Sequence, residues 1–192
     1  MPVISVSENS ALALLAADAN DHLRNLYDEN DAHLLRLIAA ATNWIEQTLG
    51  IYLLDATVTE EFRGWTDGVI RPARGPLSSV TTVKYYDGDS SQQTWAASNY
   101  IATAAASVPG EIEIAPDITQ PQVDGRNYPW ELIYVAGYGG TETSIPDAVQ
   151  HALRLLVEDF DRNRGNMTEG RATTEVAIGV RRLLVSADLG RL

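Results

Sequence analysis

The 192-residue chain carries 26 acidic and 14 basic residues, a formal net charge of −12, and no cysteine. The missing cysteines exclude disulfides, thiolate metal sites and cysteine nucleophiles. The acidic balance argues against general nucleic-acid binding, which needs clustered lysine and arginine. The first residues lack the basic region of a secretion signal, and no apolar run approaches the roughly 20 residues of a membrane span. We therefore expect a soluble protein made in the cell that contacts no membrane.

The first 50 residues predict a pair of helices. The first is expected over residues 10–26, with Ser10 as its N-cap. The second follows a polar break and is capped by Asn30 or Asp31, and Gly50 stands where helices commonly end. Both carry apolar residues at three- and four-residue spacing: Leu12, Leu15, Ala19, Leu23 and Leu26 in the first, and Leu34, Ile38, Ala41, Ile45 and Leu49 in the second.

From residue 51 to 136 the pattern becomes that of a β region. Asp-Gly and Pro-Gly dipeptides separate short runs rich in Val, Ile, Thr and aromatic residues. The expected strands are Ala56–Phe62, Gly68–Arg71, Val80–Tyr86, Asn99–Thr103, Glu111–Ile114 and Trp130–Val135. Several short strands in succession predict mostly antiparallel pairing.

A third helix is expected from Pro146, at its first position, to about Arg164. Its apolar stripe consists of Val149, Leu153, Leu156, Val157 and Phe160. The remainder has three glycines and few large apolar residues, although a short helix near Val180–Ala187 is possible. We therefore expect a domain over residues 1–165 and a C-terminal arm over 166–192. The predicted fold class is α+β, with an N-terminal helix pair, a central mostly antiparallel β region, a long C-terminal helix and then a partner-docking arm.

No pattern in the sequence indicates catalysis, a metal or a cofactor. The histidines have no HExxH spacing and no carboxylate in a fixed relation to them, so His22 and His33 are expected to be surface or capping residues. There is no GxSxG motif for a serine nucleophile. We therefore predict that the protein is not an enzyme.

Two loops have a weak likeness to ligand-binding motifs. Residues 87–89, Asp-Gly-Asp, are better explained as a tight hairpin than as a calcium loop, because Ser98 stands where an EF-hand requires glutamate. Residues 137–140 lie where a phosphate loop would, but Glu142 replaces its last glycine and would repel phosphate. We expect this second loop to be a glycine-rich crossing from sheet to helix.

Several short motifs follow one another in a specific order. They are Asp21-His22-Leu23-Arg24, the helix LLRLIAAATNWIEQTLG, Arg74–Val80, Val83–Asp89, Tyr100, Pro109-Gly110, Ala136–Gly139 and Ile145-Pro146. This ordered set, over about residues 8–164, resembles the head–tail connector (adaptor) proteins of long-tailed phages, prophages and gene transfer agents. The chain departs from the family in its first helix, where Ala19-Asn20 replaces a usual basic residue.

The resemblance implies a structural protein of the neck of a virion or virion-like particle, made in the cytoplasm of the host bacterium. Such proteins form a ring, commonly twelve-fold, beneath the portal of a filled capsid. They extend the DNA channel and offer a seat for the stopper or tail-terminator protein. The implied partners are the portal, the stopper or tail-terminator and further copies of the same chain. DNA passes without specific binding, and no cofactor takes part.

Two segments are candidates for contacts in such an assembly. The stretch from Pro72 to Leu77 stiffens the entry to a strand, since Pro76 lacks a ladder donor and pairing can begin only beyond it. A rigid strand suits a ring whose interface must repeat at a constant angle. The candidate architectural or ring-interface residues are Pro72, Gly75, Pro76 and Leu77. The candidate portal-docking residues, all in the arm, are Arg171, Arg181, Arg182, Leu183, Leu184 and Arg191.

Two alternatives remain open at this stage. One is a stopper or tail-completion protein of the same neck, although such proteins tend to be mainly β without paired N-terminal helices. The other is a small-ligand or carbohydrate-binding module. It would use Trp65, Trp95, Tyr85, Tyr86, Trp130 and Tyr138. Aromatic residues in strands more often belong to a core or a sheet face.

Overall fold

The computed structural model describes residues 3–24, 27–28, 31–104, 110–163 and 178–183. The chain divides into two compact units, each built from two separate parts of the sequence. We call them the sheet unit, Met1–Asn9 with Asp55–Tyr138, and the helical unit, Ser10–Leu54 with Gly139–Leu192. No helix in the described ranges is long and apolar enough to cross a membrane. The predicted boundary between domain and arm, at residues 165–166, lies outside those ranges.

The sheet unit contains two antiparallel sheets. The strands are β1 Val3–Ser7, β2 Ala56–Phe62, β3 Val69–Ile70, β4 Leu77–Tyr86, β5 Gln92–Trp95, β6 Tyr100–Thr103, β7 Glu111–Ile114 and β8 Trp130–Ala136. The larger sheet has the order β1-β2-β8-β4-β5 and the smaller β3-β7-β6. Every pair is antiparallel, as predicted.

The strands differ from the predicted set in two ways. β4 begins at Leu77 rather than Val80, immediately after Pro76. β1 and β5 were not predicted. Both are short, and β5 consists mainly of Gln and Thr without an apolar alternation. Their pairing with β2 and β4 supplies an order that their own composition does not indicate.

The core of the sheet unit lies on one face of β2 and β8, where alternate residues are buried. At the end of this face Phe62 lies opposite Trp130 in the ladder. The ring of Trp130 packs against four aromatic rings, with centroid distances between 5.1 and 5.8 Å. These partners are Phe62, Trp65, Tyr85 and Trp95. The three tryptophans of this cluster are buried core residues, the more common role for aromatic residues in strands.

The helical unit contains α1 (Ala16–His22), α2 (Ala32–Leu49) and α3 (Asp147–Arg162). The prediction of a helix over residues 10–26 is wrong at its start, because α1 is capped by Leu15 and not by Ser10. Gln150 of α3 donates its side-chain amide to the carbonyl of Ala13 at 2.7 Å. A helix through this segment would use that carbonyl internally, so the tertiary contact replaces the predicted first turns.

The other two helices agree closely with the sequence. The Asp31 side chain caps α2 by accepting from the His33 amide at 2.6 Å, and Gly50 ends it in the left-handed region at φ 68°. All five predicted stripe residues of α3 are buried. Pro146 is its N-cap rather than its first residue, a shift of one position.

Candidate assembly surfaces

The stiff entry to β4 is buried within the sheet unit. Pro72, Gly75, Pro76 and Leu77 are all buried, and the Gly75–Pro76 peptide is cis. The carbonyl of Pro76 accepts from the amide of Gly137 at 2.9 Å, which ties the entry to the end of β8. Buried side chains cannot contact a neighbouring subunit directly. The four residues can therefore serve a ring contact only by positioning the residues beside them, and their role in a ring remains a prediction.

The entry to β4 is also held by hydrogen bonds to a buried carboxylate that was not predicted from the sequence. Glu60 lies on the apolar face of β2 and is fully buried. It accepts from the Tyr134 hydroxyl at 2.6 Å and from the Ala73 amide at 3.2 Å. The same hydroxyl accepts from the Arg74 amide at 3.3 Å. The network thus joins β2, β8 and the 72–76 segment. Strand alternation places Glu60 on the buried face of β2, and that placement was the sequence signal for the network.

The environment of Glu60 changes its ionisation. Burial raises its pKa above the usual value, and the hydrogen bonds from Tyr134 and Ala73 oppose that rise because they favour the charged form. A buried carboxylate with these partners is costly to leave unpaired. The contribution of Glu60 to stability therefore depends on the hydrogen-bond donors around it.

Gly110 makes a close contact with the first residue of β4. Its φ is +84°, and a Cβ at this position would lie 2.6 Å from Cβ of Leu77. The predicted Pro-Gly turn is thus a point where two segments of the sheet unit approach without space for a side chain. Pro109 itself lies outside the described residues.

The 87–89 loop is a hairpin turn between β4 and β5, as predicted. Asp87 Oδ1 accepts from the amides of Asp89 and Ser91 at 3.0 Å, and Oδ2 accepts from Gln93 at 2.9 Å. The Ser91 amide, with Gln93, lowers the pKa of Asp87. The carboxylate therefore completes the turn. Among the described residues no three side chains of His, Cys, Asp or Glu are grouped so as to hold a metal.

The histidines of α1 and α2 face carboxylates on α3. His22 Nε2 lies 3.1 Å from Glu158 Oε2, and His33 Nε2 lies 3.6 Å from Asp161 Oδ1. No sequence pattern indicated these carboxylates, because partners so distant along the chain produce no motif. These pairs link the N-terminal helices to α3.

A cleft of about 290 Å³ borders these pairs. Its lining residues are His22, Leu23, Arg24, Glu158, Asp161 and Arg162. Glu158 already contacts His22 and Arg162, and Asp161 accepts from the Tyr27 hydroxyl at 2.6 Å. Both acids are thus engaged by protein groups at this junction of helices.

Part of the predicted docking arm is described. Residues 178–183 are helical, which overlaps the predicted short helix. Val180 is fully buried, whereas Arg181 and Arg182 are exposed and Leu183 is partly buried. This piece therefore packs through Val180 and presents two arginines. The candidates Arg171, Leu184 and Arg191 lie outside the described residues.

Comparison with known proteins gives a match in structure alone. No protein-family model and no curated protein matches the sequence. A chain in the structure of the neck of a native gene transfer agent particle, computed with C12 symmetry, matches with a TM-score of 0.74 at 20% identity, over 95% of this chain and 94% of that one. The protein has the fold of a neck chain.

Two further structures give the same result. A chain in the neck of the empty particle, computed with C6 symmetry, matches with a TM-score of 0.69 at 21% identity, over 94% of this chain and 95% of that one. A chain in the virion of the native particle matches with a TM-score of 0.70 at 18% identity and the same coverage. The predicted resemblance to neck proteins of phage-like particles thus agrees with an independent comparison of folds.

Proposed function

We propose that the protein is a structural component of the neck of a gene transfer agent or related phage-like particle. The observation that carries this proposal is a shared fold over 94–95% of both chains, so that the similarity is not confined to one common motif. The carboxylates in the cleft and in the hairpin already contact protein groups, which supports a structural role rather than an enzymatic one. The site of action is then the assembled particle, after synthesis in the host cytoplasm.

Within the neck, we assign the chain to the adaptor that joins the portal to the stopper or tail-terminator. The long α2, paired with α3, supports this choice over the stopper, which tends to be mainly β. A ring of twelve copies is the proposed assembly, and the C12 symmetry of the native neck structure supports that number. The net charge of −12 suits a channel wall along which DNA slides without binding, because like charges repel.

The C-terminal arm is the proposed portal-docking element. Its described helix exposes Arg181 and Arg182, and arginine forms bidentate pairs with carboxylates. Because Val180 is buried, the helix of the arm is held through this residue. Its exposed face, with the two arginines, is the face proposed for a partner. A ligand-binding module is not favoured, because the tryptophans it would use are packed against one another in the core.

The proposal is tested with capsids that carry the portal protein from the same genome. Purified full-length protein should bind such capsids and appear as a ring below the portal in electron micrographs. The double variant Arg181→Glu/Arg182→Glu should fold normally and bind at least about tenfold more weakly, since the charged contacts become repulsive. Arg36→Glu, which changes an exposed arginine on α2, is the matched control.

The outcomes separate the parts of the proposal. Normal binding by the double variant would place the portal contact elsewhere and leave the neck role intact. Failure of the unchanged protein to join portal-bearing capsids would refute the adaptor role. Binding only after another neck protein is present would favour the stopper position.

A further inference from the structure

The chain contains one long stretch without a charged residue, longer than any other such stretch in the sequence. No Asp, Glu, Lys, Arg or His lies between Asp89 and Glu111, in a chain that is 21% charged. The structure describes residues 90–104 of this interval, and we call them the neutral edge. A stretch this long without charge is notable because surfaces of acidic soluble proteins are normally punctuated by ionised groups.

The neutral edge is also almost entirely exposed. Of its residues only Trp95 is buried, and only Asn99 and Tyr100 are partly buried. Ile101 is 50% exposed, the most exposed large apolar side chain among the described residues. The segment therefore presents an uncharged surface with an apolar side chain near its end, rather than contributing mainly to the core.

Both strands of the neutral edge are outer strands of their sheets. β5 ends the five-stranded sheet and β6 ends the three-stranded sheet, so each pairs with a neighbour on one side only. Sheet edges are usually protected by charges, prolines or bulges, because open backbone groups invite another strand. The opposite edges have such protection. β1 has a bulge between Val3 and Ser5, and β3 is followed by an exposed ion pair of Arg71 with Glu111 at 2.7 Å.

We propose that the neutral edge is a subunit interface, against which a second copy of this chain packs with Ile101 near the centre of the contact. This inference rests on the proposed function, in which identical copies form a ring. Two copies of charge −12 repel each other, so the least costly contact is a surface that brings few charges into opposition. In a closed ring this surface meets a different surface of the next copy.

Apolar surface in an interface core and a polar rim are the usual anatomy of a stable contact. Ile101 has Glu113 opposite it in the ladder, and Thr103 has Glu111. The glutamates of β7 thus border the uncharged strand on its inner side. On its outer side β6 has no strand partner among the described residues, which leaves that side open to a neighbour.

The test introduces one charge into this surface. Ile101→Glu would place an unpaired carboxylate in the interface, and Ile118→Glu is the matched control, an exposed isoleucine outside any strand. Assembly is followed over a concentration series by sedimentation velocity and native mass spectrometry. Melting by circular dichroism confirms that each variant is folded. We expect the assembly midpoint to rise about tenfold or more for Ile101→Glu, because burying an unpaired charge is costly, and to stay unchanged for the control.

Hydrogen exchange supplies a second readout that does not depend on a variant. Amides of residues 100–103 should exchange more slowly in the assembled protein than in the monomer, while those of β1 should not change. A folded Ile101→Glu protein that assembles like the unchanged chain would overturn the inference, and so would unchanged exchange in β6. A variant ring that forms normally but no longer accepts the next neck protein would assign the surface to that partner and refute a second copy.

These results are distinguishable from failure of the proposed function. If the unchanged protein forms no ring, either in solution or on portal-bearing capsids, then both the neck role and this inference are wrong. If it forms a ring that the charge at residue 101 does not disturb, only the inference is wrong.

Discussion

The sheet unit and the helical unit place comparable acidic side chains in different surroundings. In the sheet unit, Glu60 is fully buried and receives hydrogen bonds from Tyr134 and Ala73. In the helical unit, Glu158 retains 28% side-chain exposure while it contacts His22 and Arg162. A pair near water contributes little to stability, whereas loss of a buried group leaves its partners unsatisfied. Loss of Glu60 should therefore cost more stability than loss of Glu158.

The largest effect is expected at the aromatic core of the sheet unit. Trp130→Ala removes a ring that contacts four others and should lower the free energy of unfolding by about 3–5 kcal/mol. Urea unfolding followed by tryptophan fluorescence measures the change. In a Trp44→Phe background the signal comes from the sheet unit alone, because Trp44 lies on α2. A loss below about 1 kcal/mol would mean that the cluster repacks freely.

The two carboxylates give the most direct comparison. Glu60→Ala leaves the Tyr134 hydroxyl and the Ala73 amide without their acceptor and should cost about 2–4 kcal/mol. Glu158→Ala removes only half-exposed pairs and should cost about 0–1 kcal/mol. Both are measured by urea unfolding at neutral pH. Equal losses at the two positions would contradict the contrast between the buried and the partly exposed carboxylate.

Two glycines with positive φ sharpen the same contrast. Gly50 ends α2 at φ 68° with open space around it, so Gly50→Ala should cost about 1 kcal/mol from backbone strain alone. Gly110→Ala adds overlap with Leu77 and should cost about 1–3 kcal/mol more. Thermal melts of both variants test the difference. Similar melting temperatures would show that Leu77 moves aside at little cost.

The last expected effect is a dependence of stability on pH. Because the pKa of Glu60 is raised on folding, the folded state keeps a proton that the unfolded chain releases from about pH 4.5 upward. The free energy of unfolding therefore falls as pH rises through the window between these two pKa values, by about 1.4 kcal/mol for each pH unit of the window. Glu60→Gln cannot ionise and should lack this fall. Parallel pH profiles of the two proteins would contradict the prediction.

Features set by residues close together in the sequence could be predicted, whereas features set by contacts between distant residues could not. The start of α2 at Asp31 and its end at Gly50 are local signals, and the structure contains both. The start of α1 was wrong because Gln150 of α3 takes the carbonyl of Ala13, a contact that local spacing cannot indicate. The Glu60 network and the histidine–carboxylate pairs were missed for the same reason. The neutral edge, in contrast, can be recognised in the sequence as a stretch without charge. That its strands are outer strands is seen only from the strand order of the sheets.

The register of one ladder has a consequence for how the helical unit folds. Its two parts are separated by residues 55–138, and closing a flexible loop of that length costs roughly 4 kcal/mol of chain entropy. Ala56 at the start of β2 pairs with Ala136 at the end of β8, so the two ends of this inserted stretch lie side by side once the ladder forms. The strands thus shorten the effective tether between α2 and α3 to residues 50–55 before β2 and 137–146 after β8. We therefore expect α3 to dock on α2 only after the β2–β8 ladder has formed.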